Sequence, residues 1–322
     1  MSMFYLKRAG LRAAVRAGAA LNRPLRSNEL TMDPVMSAIV RLANKRPTGA
    51  SMELSALRAR YLTGPSLTGL RPSPEVRVSA IEAAGRPARR YVPPGPISAQ
   101  LLYFHGGGFI AGGLETHDAL CRMLAARGRI GVVSVDYRLA PEHPFPAGYD
   151  DARSTWAWAQ AQGGAWLIGG DSAGANLAAG QALDGSARLQ VLIYPVVDLL
   201  QQHGRYPSID EFWDGYILTA ETMKACARLL IPAGQDAADV RLSPIRADLG
   251  RASPAMVITA GFDPLRDQGR AYVAALQSAG VHTHLVEERA LPHGFADFAG
   301  VVPAARRAVE RIADAIRMEL AR

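Results

Sequence analysis

Hydrophobic positions change their period along the chain. Over the first 60 or so residues they recur at helical spacing. At 100° per residue, Arg8, Arg12, Arg16 and Arg23 fall within an arc of roughly 80°, with Phe4, Leu6, Leu11, Val15 and Leu21 on the other side. That pattern predicts an amphipathic helix ended by Pro24. A second helix is expected over Pro34–Ala43, behind the N-cap Asp33 and with Val35, Ile39 and Leu42 on one face. From residue 76 the period shortens to alternation and apolar runs, giving eight strand candidates at 76–81, 88–92, 99–104, 131–137, 165–168, 189–194, 255–260 and 283–287. Helix-length segments at 115–126, 147–160, 173–182 and 265–278 lie between the later strands, and 304–320 follows the last. Strands alternating with helices predict an α/β fold, a mainly parallel sheet of about eight strands covered on both faces. Residues 197–230, with Phe212, Trp213, Tyr216, Ile217 and Leu218, break the alternation and read as an excursion from the sheet. No repeat or low-complexity linker divides the chain, so a single domain is expected.

Composition narrows the class. With 49% hydrophobic and 20% charged residues, 322 residues can bury a large core. The 36 basic and 29 acidic residues give a formal charge of +7, which by itself would suggest an anionic partner. Its location changes that picture. Lys7, Arg8, Arg12, Arg16, Arg23 and Arg26 meet no acidic residue before Glu29, leaving 30 basic against 29 acidic residues for the rest. A near-neutral body argues against nucleic acid. The basic helix has two readings: a helix of the fold with solvent-facing arginines, which we prefer, or attachment to an anionic membrane surface. Cys121 and Cys226 have neither disulfide-framework nor zinc-ligand spacing, so no metal is expected and a cytoplasmic, reducing location fits. No apolar run reaches membrane-spanning length, and the start lacks a secretory apolar core.

Candidate chemistry begins at Gly170-Asp171-Ser172-Ala173-Gly174, a G-x-S-x-G between an apolar strand and an Ala-rich helix. A sharp strand-to-helix turn requires small residues two before and two after the serine, and lifts its hydroxyl above the sheet. At the end of the strand 99–104 stands His105-Gly106-Gly107-Gly108-Phe109, whose glycines let backbone N–H groups face a ligand and form an oxyanion hole. Each pre-aimed donor is worth roughly 2.7–4 kcal/mol of barrier in acyl transfer. A phosphate cradle fits less well, because no G-x-x-x-x-G-K-[ST] occurs and Ala111 replaces the third glycine of the dinucleotide pattern.

A serine nucleophile needs a base, and the base an orienting acid, in the chain order Ser, acid, His for this arrangement. Asp263 follows the strand 255–260 and is favoured as the acid over its alternative role as a helix N-cap. Of the seven histidines only His282, His284 and His293 follow it. The first two flank the start of a strand and read as surface or packing residues. His293, in Leu291-Pro292-His293-Gly294-Phe295, can swing over Ser172.

The set HGGGF, VDYRLAPEHPFPA (135–147), GGDSAGANLA (169–178), DPLRD (263–267) and LPHGF resembles the bacterial hormone-sensitive-lipase-like (family IV) carboxylesterases of the α/β-hydrolase superfamily, from about Asp33 to the C-terminus. The resemblance implies an α/β-hydrolase fold in which Ser172 is nucleophile, Asp263 acid and His293 general base. It implies an oxyanion hole from the N–H groups of Gly107, Gly108 and Ala173, supported by Gly106, with His105 a structural anchor. The polar residues of Tyr137-Arg138-Leu-Ala-Pro141-Glu142 would form a buried scaffold behind the glycine loop. A cap would be built from about 1–62 and 197–230, the stretch before Leu30 being longer and more basic than the family pattern requires.

The expected activity is hydrolysis of small to medium acyl esters through an acyl-enzyme, without metal or cofactor. Phe109, Phe212 and Tyr216 are candidate walls of an apolar substrate pocket, the alternative being cap core. The competing functions are a catalytically silent hydrolase-like binding protein and an amidase, lactonase or deacetylase with the same triad. The expected partner is a small apolar ester, with the chain a monomer or homodimer.

Overall fold

The computed structural model describes residues 3–44, 53–200 and 204–321. Its main sheet has eight strands: β3 (Arg77–Ala83), β4 (Arg86–Val92), β5 (Gln100–Phe104), β6 (Gly131–Val135), β7 (Trp166–Asp171), β8 (Gln190–Ile193), β9 (Ala255–Phe262) and β10 (Thr283–Pro292). They lie in the order β10-β9-β8-β7-β5-β6-β4-β3. β4 pairs antiparallel with β3 and β6, and the remaining pairings are parallel. Each strand overlaps a segment expected from the sequence. β6, β7, β8 and β9 are buried at every residue, which is why they read as continuous apolar runs, whereas the outer β3 and β4 mix exposed and buried positions.

Alternation along the strands divides the interior into two cores. Leu101, Tyr103, Val132, Leu167, Val191, Met256 and Ile258 face one side, under α4 (Leu114–Gly128) and α10 (Pro303–Leu320), which contribute Leu120, Leu124, Val309 and Ile312. Leu102, Phe104, Val133, Ile168, Leu192 and Val257 face the other. There α5 (Ala147–Ala161), α6 (Ala173–Gln181) and α9 (Arg266–Ser278) supply Trp156, Leu177, Tyr272 and Leu276. Burial of each such leucine or isoleucine contributes about 1.5–3 kcal/mol, so the layers are held by side-chain packing on both faces.

The N-terminal region holds α1 (Met3–Leu21), a two-stranded antiparallel ribbon of β1 (Arg26–Ser27) with β2 (Leu30–Thr31), α2 (Pro34–Ala43) and α3 (Leu54–Thr68). Asp33 caps α2 as expected, its Oδ1 accepting from the N–H of Val35 at 2.9 Å and Met36 at 3.0 Å. The buried faces differ from the expected ones. In α1, Val15 is 3% exposed but Leu21 is 85% exposed. Six residues apart, they stand about 120° apart around the helix, and one neighbour cannot cover both. Arg12 is half-buried and donates to the Gly300 carbonyl, so it does not share the solvent-facing role assigned to the arginines. In α2 the buried face is Met36, Ile39 and Val40, with Leu42 exposed beside the groove left by α1. Phe4, Leu6 and Arg8 lie outside the described side chains.

Between β8 and β9 the chain leaves the sheet, which resumes at Ala255 as expected. The excursion contains α7 (Pro207–Glu211) and α8 (Ala220–Leu230). Of the segments assigned to a cap, residues 1–2, 45–52 and 201–203 lie outside the described residues. Among the described residues no helix is long and apolar enough to cross a membrane.

Candidate active site

Ser172 stands in the turn between β7 and α6 with φ 54° and ψ −116°, a backbone conformation that side chains with a Cβ rarely adopt. The turn is packed against the end of β5. A Cβ on Gly170 would overlap the Phe104 carbonyl oxygen, and one on Gly174 the carbonyls of both Phe104 and His105. Glycine at those two positions is therefore what permits the turn. Ser172 is fixed by its own N–H, which donates to the Ile193 carbonyl at 2.9 Å.

Asp263 follows β9 and His293 follows β10, so both reach the same edge of the sheet as Ser172, the carboxyl ends of its parallel strands. His293 Nε2 lies 2.9 Å from Ser172 Oγ, and His293 Nδ1 lies 2.8 Å from Asp263 Oδ2. Asp263 is fully buried and its Oδ1 accepts from the N–H of Leu265 at 2.8 Å, but the N-cap of α9 is Leu265, so Asp263 does not hold the N-cap position weighed for it. The Tyr194 ring packs 4.8 Å from that of His293, centroid to centroid. Asp267, a turn further on, instead pairs with Arg266 at 2.9 Å and Arg270 at 3.1 Å. His282 and His284 are exposed near Glu319.

The glycine loop stands beside the serine. Gly107 (φ 123°), Gly108 (φ 64°) and Phe109 (φ 65°) are three successive residues with positive φ. A Cβ on Gly107 would overlap the Ala111 carbonyl and one on Gly108 the Cys226 Sγ of α8, so neither position tolerates a larger residue without movement. The Gly107 carbonyl accepts from Ile110 and Ala111, while the N–H groups of Gly107 and Gly108 meet no protein acceptor among the described residues. Ala173 opens α6, where a backbone N–H has no carbonyl one turn earlier to pair with. An arrangement of a hydroxyl, an imidazole, a carboxylate and unpaired N–H donors can move a proton off the serine and stabilise a carbonyl oxygen that gains charge.

Behind the loop lies a second polar group that the motif reading did not assign. Asp171 Oδ1 accepts from Tyr103 Oη at 2.8 Å and from the Gly106 N–H at 2.9 Å, and lies 3.1 Å from His117 Nε2. Burial pushes the Asp171 carboxyl upward, but the His117 charge and these donors bring it below its usual value. The same attraction raises His117 although burial opposes it. His105 is buried, stacks on Tyr137 at 4.4 Å and is pushed down to about 4 by burial and by His117, so it is neutral near pH 7. Tyr137 Oη donates to the His105 carbonyl at 2.8 Å. Glu142 departs from the buried scaffold expected of it: its side chain is 53% exposed and pairs with Arg58 of α3 at 2.6 Å. Asp297, on the turn after His293, is pushed up to about 6 by burial, with His117 and His293 drawing it down and Asp171 raising it.

The pocket candidates separate. Phe212 has no exposed surface, its ring enclosed by Tyr216 at 5.2 Å, Phe262 at 5.7 Å and the Arg266 guanidinium at 5.1 Å, so it forms core and not a pocket wall. Tyr216 is half-buried in the same cluster, and Phe109 is buried in the core that also holds Leu57 and Met223. Trp213 is covered by Lys224, whose Nζ lies 4.3 Å from the ring centroid. Among the described residues no group of His, Cys, Asp and Glu side chains could hold a metal ion.

A family model described as the alpha/beta hydrolase fold matches residues 101–297. The chain is 37% identical over 321 residues to carboxylesterase NlhH of Mycobacterium tuberculosis, covering 90% of this chain and 96% of the relative. It is 35% identical over 253 residues to ethyl acetate hydrolase of Pseudomonas putida, 73% of this chain and 79% of that protein. The crystallised hyperthermophilic esterase from Pyrobaculum calidifontis superposes with a TM-score of 0.80 at 36% identity, covering 89% of this chain and 98% of the esterase. The chain belongs to the α/β-hydrolase fold family, in its hormone-sensitive-lipase-like branch. It is an enzyme of the carboxylic ester hydrolase class.

Proposed function

We propose that Ser172 is the nucleophile, His293 the general base and acid, and Asp263 the orienting acid of a carboxylesterase acting on small to medium acyl esters. The observation that carries this reading is the unbroken line from Ser172 Oγ through His293 to Asp263, with contacts of 2.9 and 2.8 Å, at a serine held in a strained turn. Asp263 accepts a hydrogen bond from Nδ1–H, which holds the proton on Nδ1 and leaves Nε2 free to take the serine proton as Oγ attacks the ester carbonyl carbon. The carbonyl oxygen becomes an oxyanion facing the N–H groups of Gly107, Gly108 and Ala173, with Gly106 supporting the loop. Collapse breaks the C–O bond, and His293 gives its proton to the departing alcohol. Water, deprotonated by His293, then attacks the acyl-serine and releases the acid.

Short acyl chains are supported by the ethyl acetate hydrolase among the relatives and by α8, whose Cys226 Sγ lies directly against Gly108 and limits the space above the loop. The described helices α1–α3 and α7–α8 serve as the cap of a single hydrolase domain. Arg58 of α3 ties this layer to the body by donating to the carbonyls of Ile110 at 2.7 Å and Ala140 at 2.9 Å. Both cysteines are free thiols, which fits a cytoplasmic setting. The test is Ser172→Ala: hydrolysis of p-nitrophenyl butyrate and covalent labelling by a fluorophosphonate should both vanish. Hydrolysis at the parental rate would overturn the assignment.

A further inference from the structure

Resting on the ester-hydrolase reading above, we propose that Thr116, His117 and Asp171 form a hydrogen-bonded clamp that holds the glycine loop at both ends and positions its N–H groups for the oxyanion. The loop runs from β5 to α4. At its start the Gly106 N–H donates to Asp171 Oδ1 at 2.9 Å. At its end the Gly113 N–H donates to Thr116 Oγ1 at 3.0 Å, and Thr116 Oγ1 donates back to the Gly113 carbonyl at 2.7 Å. His117 closes the circuit, with Nε2 3.1 Å from Asp171 Oδ1 and Nδ1 2.7 Å from Thr116 Oγ1. The chain Gly106, Asp171, His117, Thr116, Gly113 therefore spans the loop from beneath. The loop is folded so closely that a Cβ on Gly112 would stand 2.5 Å from the Gly106 carbonyl oxygen and 2.6 Å from His105 Nδ1.

Proton counting shows what state holds the clamp closed. Thr116 has one hydroxyl hydrogen, and while the Gly113 carbonyl receives it the oxygen must accept from His117 Nδ1. Nε2 faces a carboxylate, so in that arrangement both ring nitrogens carry protons and His117 is a cation. The groups facing it are Asp171, Tyr103, whose ring is 6.2 Å away, His105 at 5.6 Å, Asp297 and the Gly113 backbone. The two carboxylates among them favour the charged form, in keeping with the raised His117 and lowered Asp171 already described. A neutral His117 would draw the Thr116 hydroxyl away from Gly113 and loosen the far end of the loop.

His117 touches neither serine nor ester and is thus a positioning residue. Removing an oxyanion donor itself costs about 10²–10³ in kcat, and a support one step behind it should cost less, about 10- to 100-fold. For His117→Ala the expected result with p-nitrophenyl butyrate is that loss in kcat with KM within about threefold. His117→Gln can still donate to Asp171 but no longer meets Thr116, and should recover part of the loss. Thr116→Val, nearly the same shape without the hydroxyl, should lower kcat several-fold on an unchanged KM, and carries the test if His117→Ala does not fold. Parental kcat in a folded His117→Ala or Thr116→Val protein overturns the clamp, as does a loss confined to KM. Fluorophosphonate labelling of the His117 variants, absent in Ser172→Ala, separates failure of the clamp from failure of the serine assignment.

Discussion

Two buried histidine–carboxylate pairs flank the same serine turn and do different things. His293 and Asp263 have side chains 9% and 1% exposed, and His117 and Asp171 have side chains 5% and 7% exposed, so burial does not tell them apart. Nor does the contact, at 2.8 and 3.1 Å. The difference is the partner of the second ring nitrogen. His293 Nε2 faces a hydroxyl on a strained turn, whose proton it would take in the proposed reaction, whereas His117 Nδ1 faces a hydroxyl already tied to Gly113 on both sides. In the roles proposed, an imidazole serves as base or anchor according to what its far side meets.

The largest expected effect breaks the first pair. Asp263→Asn keeps an acceptor for the Leu265 N–H but presents the wrong group to Nδ1, which turns the imidazole to the tautomer unable to take the serine proton. kcat for p-nitrophenyl butyrate should fall by about 10⁴ while the fold is kept. Purified protein with an unchanged melting curve and a loss below tenfold would remove Asp263 from the orienting role.

Breaking the second pair should register first in stability. Asp171 gathers Tyr103, Gly106 and His117 on one oxygen, and Asp171→Asn leaves His117 buried against an amide. Removing one partner of a buried pair costs about 3 kcal/mol, with a rate loss through the glycine loop added to it. Urea unfolding at pH 6 checks this, below the ordinary histidine value above which His117 is raised and above the ordinary carboxylate value below which Asp171 is lowered. A variant as stable as the parent would show that the pair is not closed in solution.

The two pairs were not equally legible. Ser172, Asp263 and His293 follow from motif and chain order, because each stands at the end of a strand whose apolar run is readable, and parallel strands deliver their ends to one edge. His117 sits inside α4, and nothing in its spacing places it against Asp171. Their contact exists because α4 packs over Tyr103 and its neighbours. Asp171 was in view within the G-x-S-x-G motif, but its role depends on the Gly106 N–H that only the folded loop aims at it. For Phe212 the core alternative is the one realised, for the converse reason: an aromatic cluster in an excursion looks like a pocket until Phe262 and Arg266 are seen to enclose it. Leu21 and Leu42 show the limit of periodicity, which names an apolar face without saying which neighbour covers it.

The smallest effect lies where the two pairs meet. Asp297 feels His117, Asp171 and His293 together, and burial pushes it up to about 6 against an ordinary value near 3.8. A carboxyl raised on folding is bound to its proton more tightly in the folded chain than in the unfolded one. Its contribution to stability is therefore complete below about pH 4 and is lost as pH rises through about 6, where the folded protein must hold the charge in a poorly solvated place. Asp297→Asn mimics the protonated form. It should match the parent near pH 4 and exceed it by on the order of 1–2 kcal/mol at pH 8, read as the difference between unfolding free energies across that range. A gain that is constant with pH would mean that the stabilisation does not come from the charge.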